Sequence, residues 1–210
     1  MRKLSQYCVG IWFFWGLPGL LLADDIQQRL EQFLHEVAAF EAQFTQNVVN
    51  DDNEVLQVAH GQVKVQRPGR FRWDYHTPYR QLILSDGEHL WTYDADLAQA
   101  TVQPMEQLWD SAPILLLSES RPIERDFYVQ PFGEHEGLSW IELSPRSQDS
   151  DFSRVLIGMD ERYVRAMVLF DHFEQQTRIR FDQFVANPDF AHDAFHFNAP
   201  ATTDIIGHSR

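Results

Sequence analysis

The sequence predicts a mainly β protein with a few helices (an α+β fold), built around one antiparallel sheet. Three observations predict it: runs of alternating apolar and polar residues from Val63 onward, turn signals such as Asp86-Gly87 between the runs, and one long helical stripe near the amino terminus. About eleven strands are counted in this way. An antiparallel sheet of that size must curl or close, and partial closure makes an unclosed barrel with an open mouth.

The stripe near the amino terminus predicts one amphipathic helix from Asp24 to Gln46. Its apolar residues recur three or four positions apart, and Asp24 and Asp25 lie where acidic groups stabilise the positive end of a helix dipole. The polar turn Asn50–Asn53 ends the pattern. The stripe consists of Ile26, Leu30, Phe33, Leu34, Val37, Phe40 and Phe44.

After this turn the period of the apolar pattern changes to two, which predicts strands. Phe71, Trp73 and Tyr75 alternate with charged residues, so a strand places their three rings on one face. The predicted strands are residues 63–65, 71–75, 82–84, 89–93, 127–131, 139–144, 153–159, 163–171 and 175–185, with Phe195–Phe197 as a last short strand. Ile114–Leu117 predicts a second, short helix capped by Ser111.

Residues 1–23 predict a cleaved export signal. Two basic residues at the start precede a long uncharged apolar segment, and two aspartates follow Ala23. The alternative is an uncleaved membrane anchor, because residues 4–23 are long enough to span a bilayer. A Pro18-Gly19 break near the end of the segment favours cleavage, as does the lack of a positive cluster after it. Residues 24–210 then form a single domain.

We therefore expect export with cleavage after Ala23. The measurement is the intact mass of the protein purified from the exported fraction, which should correspond to a chain beginning at Asp24. A chain that keeps Arg2 and Lys3 and stays with the membrane would contradict the prediction.

The single cysteine and the negative net charge exclude several kinds of site and binding partner. Cys8 is the sole cysteine and lies inside the predicted signal, so the cleaved chain can form no disulfide, thiolate metal site or thiol nucleophile. Loss of the two basic residues of the signal takes the formal net charge from −14 to −16. Such a surface repels nucleic acid and anionic lipid headgroups, so neither nucleic-acid binding nor stable membrane insertion is expected.

Sequence patterns typical of enzymes are missing. The chain has no Gly-x-Ser-x-Gly elbow, dinucleotide-binding glycine motif, P-loop or His-Glu-x-x-His. His192 and His196 are four residues apart, but we interpret them as a surface pair rather than metal ligands. The 16 Phe, 6 Trp and 6 Tyr form ordinary core or line a cavity, and periodicity alone does not separate these two roles. A non-enzymatic carrier of hydrophobic cargo, without metal or cofactor, is the interpretation we favour.

One stretch departs from the acidic composition. Lys64, Arg67, Arg70, Arg72 and Arg80 crowd the second and third predicted strands. One interpretation of Arg70, Arg72 and Arg80, which the sequence leaves open, is a solvated positive patch that recognises an acidic partner. Arg67 differs because it precedes Pro68 at a strand-to-turn junction. Its five donors are suited there to hold the unpaired carbonyls of a nearby helix end or loop.

The same stretch resembles a known family. The chain resembles the LolA family of periplasmic outer-membrane lipoprotein carriers in Arg67-Pro-Gly-Arg-Phe71-Arg-Trp73-Asp-Tyr75, Pro78, Ser85-Asp86-Gly87 and Leu90-Trp91-Thr-Tyr93. Supporting matches are Phe44-Thr45-Gln46, Gly61, Asp96-Leu97-x-Gln99-x-Thr101, Ala112-Pro113-x-x-Leu116-Leu117, Phe197-Asn-Ala-Pro200 and Asp204-Ile205-Ile206. The family's closing Pro-x-Gly-Val/Ile-Asp pattern lacks its glycine here, where the chain has Pro200-Ala-Thr-Thr-Asp204.

The resemblance implies a function and a set of site residues. It implies a monomeric periplasmic carrier whose unclosed barrel, lidded by helices, holds the acyl chains of a lipoprotein in an apolar cavity. Loading by an inner-membrane ABC-type releasing complex and delivery to an outer-membrane receptor are implied as well. Arg67 is expected to latch the lid in the empty protein, and Phe71 is expected to be needed for loading. The expected cavity residues are Leu30, Phe33, Phe71, Trp73, Tyr75, Trp91 and Leu116.

Two other functions stay open. The first is a lipoprotein-sensing regulatory domain of the same fold, which usually accompanies a second domain for which 187 residues leave no room. The second is a secreted hydrolase or metal enzyme with an unrecognised site.

Overall fold

A twelve-stranded sheet forms the body of the protein. The computed structural model describes residues 21–105 and 114–207. Its strands are β1 (Ala39–Val49), β2 (Val55–Gln66), β3 (Arg70–Thr77), β4 (Gln81–Asp86), β5 (His89–Asp94), β6 (Gln99–Pro104), β7 (Phe127–His135), β8 (Leu138–Pro145), β9 (Phe152–Met159), β10 (Val164–Asp171), β11 (Gln176–Ala186) and β12 (Asp204–Gly207).

The strand order is β12-β6-β5-β4-β3-β2-β1-β11-β10-β9-β8-β7. Neighbouring strands are antiparallel, except that β12 runs parallel to β6. The end strands β12 and β7 do not pair with each other in this order. The predicted unclosed, antiparallel barrel is therefore confirmed.

Two helices accompany the sheet, α1 (Leu21–Glu36) and α2 (Ile114–Ser118), with a short 3-10 helix at Ile123–Arg125. Helix α1 buries one apolar side against the inner face of the sheet, as the helical spacing of its residues predicts. Within the described residues, no helix has the length and apolar character needed to cross a membrane.

The first helix is shorter than predicted. It ends at Glu36, and the predicted helical residues Phe40 and Phe44 lie on β1 instead. A spacing of four residues fits one face of a helix and one face of a strand equally well, so the apolar pattern alone does not separate the two. Pairing decides it, because β1 lies between β2 and β11 and bonds to both.

The other predicted strands are confirmed as β2–β5 and β7–β11, while β6 was missed. Only Ala100 and Val102 of β6 are buried apolar residues, too weak a signal for a strand. The prediction of a strand at Phe195–Phe197 was wrong, because the chain is irregular there and β12 follows later. The Ser111 cap and residues 1–20 of the predicted signal lie outside the described residues.

The two faces of the sheet are covered differently. The inner face, defined here as the face that packs against α1, holds the main apolar cluster. The outer face of β4 and β5 lies beneath the carboxy-terminal segment 187–203. In that segment Phe197 has its ring centroid 5.0 Å from that of Trp91 and 5.6 Å from that of Tyr93. Phe195, also in this segment, is buried.

Candidate functional site

An apolar cluster formed by α1 and the inner face of the sheet gathers most of the residues that the sequence predicted for the cavity. Leu30 and Phe33 of α1 and Phe71 and Trp73 of β3 are buried in it, and Phe71 is 0 % exposed. Tyr75 and Leu116 are half-buried and pack against its margin. Within the described residues these side chains pack together in one apolar cluster.

Aromatic contacts organise this cluster. The ring of Phe44 on β1 lies 4.7 Å from Trp73 and 5.1 Å from Tyr75, centroid to centroid. Phe44 has room for this because its partner across the strands is Gly61. A Cβ at Gly61 would come within 2.7 Å of the Phe44 ring and 1.9 Å of the Asp74 carbonyl oxygen. The close packing of the Phe44 ring over Gly61 therefore explains why these two residue types occur together in this chain.

Trp91 does not belong to the cluster. It pairs across strands with Leu84, and Leu84 pairs with Arg72, which places Trp91 on the outer face. The neighbouring Leu90 packs against the inner cluster instead. The prediction that grouped Trp91 with Phe71 is corrected: β5 carries apolar side chains on both faces, Leu90 on the inner one and Trp91 on the outer one, and all of its residues are half-buried.

Tyr75 contributes an apolar wall with a satisfied hydroxyl group. Its hydroxyl donates to the side-chain oxygen Oε1 of Gln46 at 3.0 Å. Burial raises the pKa of Tyr75 to about 12, against the opposite effect of the bond to Gln46. The phenol is therefore neutral at physiological pH. Sequence reasoning missed Gln46 as its partner.

Arg67 holds the carboxy-terminal end of α1. Its Nη1 donates to the carbonyl oxygen of Val37, the first residue after the helix, and its backbone N–H donates to the Ala38 carbonyl at 2.9 Å. Its guanidinium carbon lies 5.1 Å from the centroid of the Phe33 ring. The arginine thus bonds to a buried carbonyl just beyond the end of the helix.

The charge on Arg67 is poorly solvated. The residue is 8 % exposed, and its Nε and Nη2 find no acceptor among the described residues. Burial lowers the pKa of Arg67 to about 10, so the group still carries its proton at neutral pH. A buried cation with unfilled hydrogen bonds is costly, so burial offsets part of the stabilisation that the bond to Val37 provides.

The turn that carries Arg67 also contacts the second helix. Gly69 donates its N–H to the carbonyl of Ser118, the last residue of α2, at 2.8 Å. The Gly69 carbonyl in turn accepts a bond from the buried Ser85 hydroxyl at 2.7 Å. Both helices are thereby attached to one turn between β2 and β3.

A second polar contact holds the middle of α1 to the opposite part of the sheet. Arg29 donates through Nη1 to the Asp160 carbonyl at 3.2 Å and through Nη2 to the Ser139 hydroxyl at 2.6 Å. At the carboxy-terminal end of the helix, the side chain of Asn187 donates to the carbonyl of Glu36, the last residue of α1, at 3.2 Å. No local signal in the sequence marks Arg29 or Asn187, because their partners lie more than 100 residues away.

The turn that receives Arg29 is stabilised by its own carboxylate. Asp160 accepts the N–H groups of Arg162 and Tyr163 and the Nε of Arg165, at 2.8, 2.7 and 2.5 Å. Burial acts to raise the pKa of Asp160, but these bonds outweigh it and hold the pKa below its usual range. The carboxylate that organises this turn is therefore ionised at neutral pH.

Comparison with known proteins agrees with this architecture. Residues 35–198 match the family described as outer membrane lipoprotein carrier protein LolA. The chain is 38% identical over 191 residues to an outer-membrane lipoprotein carrier protein of Methylobacillus flagellatus, covering 91% of this chain and 93% of that one. It is 37% identical over 206 residues to one of Dechloromonas aromatica, covering 98% and 96%.

A solved structure shows the same fold. The crystal structure of a LolA superfamily protein from Nitrosomonas europaea superposes with a TM-score of 0.51 at 12% identity. The superposition covers 83% of this chain and 97% of that one.

Proposed function

The chain belongs to the LolA family of outer-membrane lipoprotein carrier proteins, and from that premise we propose that it carries lipoproteins by covering their acyl chains with the inner face of its sheet. One observation carries the proposal. The apolar residues of α1 and β3 meet in a single cluster that polar contacts close at its margins.

The physical need for a carrier follows from the cargo. Each buried methylene of an acyl chain contributes about 0.8 kcal/mol, so several chains cannot cross water unaided. We infer that the chains take the place of α1 against the inner face of the sheet, which includes Phe71 and Trp73, so that one apolar surface exchanges for another. The lid then costs little to displace, because its apolar contacts are replaced and only its polar contacts are lost.

The residues proposed for cargo contact are Leu30, Phe33, Phe71, Trp73, Tyr75 and Leu116. Trp91 is left out because it lies on the outer face. Arg67 and Arg29 are proposed to hold the lid at two separate parts of the sheet. Neither arginine has a chemical role in this scheme, since the family is one of carriers.

We further propose a place and partners for the transport. The predicted export signal supports a periplasmic location, where a single-domain monomer receives lipoproteins from an inner-membrane ABC-type releasing complex and delivers them to an outer-membrane receptor. The strongly acidic composition supports partners with basic surfaces.

The proposal is tested by asking whether the purified chain takes up lipoprotein released from spheroplasts. We expect a soluble complex of carrier and lipoprotein, with acylated cargo identified by mass spectrometry after extraction. Uptake of free lipid but no lipoprotein, or of nothing, would contradict a carrier. Metal analysis and hydrolysis assays on the same sample examine the alternative of a secreted hydrolase.

A further inference from the structure

The indole N–H of Trp73 is a hydrogen-bond donor that the closed protein leaves unused. Trp73 is 5 % exposed, and its Nε1 is buried without an acceptor among the described residues. Almost all buried polar groups in native proteins have a partner, so an exception in a binding site calls for an explanation. Phenylalanine would supply an apolar ring here without an unpaired N–H.

The neighbours of Trp73 in the described part of the chain include aromatic rings and apolar side chains. Phe44 and Phe181 lie with centroids 4.7 and 6.2 Å from its ring. Across the strands, Trp73 faces the apolar side chains of Val63 and Ile83. The amide oxygen of Gln46 on the same face already accepts the Tyr75 hydroxyl.

Trp73 also differs from Arg67, which is likewise buried and has N–H groups without an acceptor among the described residues. Arg67 lies at the far end of β2, four residues beyond Val63, the partner of Trp73, which is roughly 13 Å along a strand. Its bonded nitrogen holds the end of α1. The N–H of Trp73 therefore stands apart from the latch, deep in the apolar cluster.

We propose that Trp73 Nε1–H donates a hydrogen bond to a carbonyl oxygen of the cargo's acyl linkage. The proposal rests on the carrier function above and adds the chemistry of one subsite. An ester linkage has a carbonyl oxygen that accepts hydrogen bonds and no group that donates one. The ester-linked chains of a diacylglyceryl group therefore bring only acceptors into an apolar site. A donor without a competing acceptor nearby complements such a group, while the rings around it contact the chains.

The subsite gives the carrier a means to distinguish acyl esters from hydrocarbon of equal length. A neutral hydrogen bond to an otherwise unpaired group corresponds to roughly a three- to tenfold change in affinity. This is enough to favour acylated cargo while leaving release possible.

The test uses two synthetic lipopeptides with equal chain lengths, one with ester-linked chains and one with ether-linked chains that lack the carbonyls. Binding of each to the full purified chain is measured by competition with a fluorescent acylated peptide. We expect the parent protein to bind the ester form about three- to tenfold more tightly. Trp73→Phe, which keeps a ring but removes the N–H, is expected to bind both forms equally.

Trp91→Phe is the matched control, because Trp91 carries the same side chain on the outer face. It is expected to keep the parent's preference. Equal binding of the two lipopeptides by the parent, or an undiminished ester preference in Trp73→Phe, would overturn the subsite. The parent measurement decides even where a variant folds poorly. Failure of the parent to bind either lipopeptide or any lipoprotein would overturn the carrier function instead.

Discussion

Phe71→Glu is expected to abolish the uptake of lipoprotein while the sheet still forms. Phe71 is 0 % exposed on β3 and belongs to the apolar cluster that also holds the buried residues of α1. A carboxylate there must either lose its hydration or keep the acyl chains away, and burial of an unpaired charge costs several kcal/mol at least. We expect uptake of released lipoprotein to fall more than tenfold, with the sheet content checked by circular dichroism.

Two further variants sharpen this result. Phe173→Glu introduces the same charge at an 88 % exposed position in the turn between β10 and β11, and it should load normally. Phe71→Leu keeps an apolar side chain and should load far better than Phe71→Glu. Normal uptake by a folded Phe71→Glu protein would show that Phe71 does not meet the cargo.

Arg67→Leu is expected to accept cargo but to release it poorly, so that loaded carrier accumulates. In the closed empty protein Arg67 donates to the Val37 carbonyl at the end of α1. A hydrogen bond from a charged donor contributes ~1.5–3 kcal/mol, and that stabilisation is lost from the empty form alone. Release should then become about tenfold to a hundredfold less favourable.

The measurement is the amount of lipoprotein that copurifies with the variant, together with its rate of transfer to the outer-membrane receptor. Arg180→Leu serves as the control, because the Arg180 side chain is 71% exposed on β11 and pairs weakly with Asp182 at 3.9 Å. Leucine also removes the cost of burying the charge of Arg67, which acts in the opposite direction. Less cargo than in the parent, or equal cargo with equal transfer, would therefore show that Arg67 is not a latch.

The local pattern of the sequence was sufficient for most strands and for the face that β3 presents to the core. Alternation along a strand is a property of neighbouring residues, so Phe71, Trp73 and Tyr75 could be assigned to one face without knowledge of the fold. Arg67 could also be singled out as a hydrogen-bond donor from the sequence. It precedes Pro68 at the end of a predicted strand, where a guanidinium can donate to an unpaired carbonyl of a nearby helix end or loop. The cargo roles of these residues are still predictions.

Long-range pairing decided the rest. The residues from Phe40 to Phe44 have a spacing that fits both helix and strand, and only pairing with β2 and β11 made them a strand. Trp91 could face either side of the sheet, and its pairing with Leu84 placed it outside. Strand β12 forms because β6 offers it an edge more than 100 residues earlier in the chain.

The sequence by itself determined the strand-rich pattern, the apolar side of α1 and the family to which the chain belongs, because each depends on residues close together along the chain. The tertiary structure alone decided where α1 ends, which aromatic rings meet, and which groups form hydrogen bonds with α1 and the residue after it. Arg29 reaches Asp160 across 131 residues and Ser139 across 110, contacts that no local spacing encodes. The unpaired N–H of Trp73 is likewise visible only in the fold, since a hydrogen-bond donor lacks a partner only relative to everything packed around it.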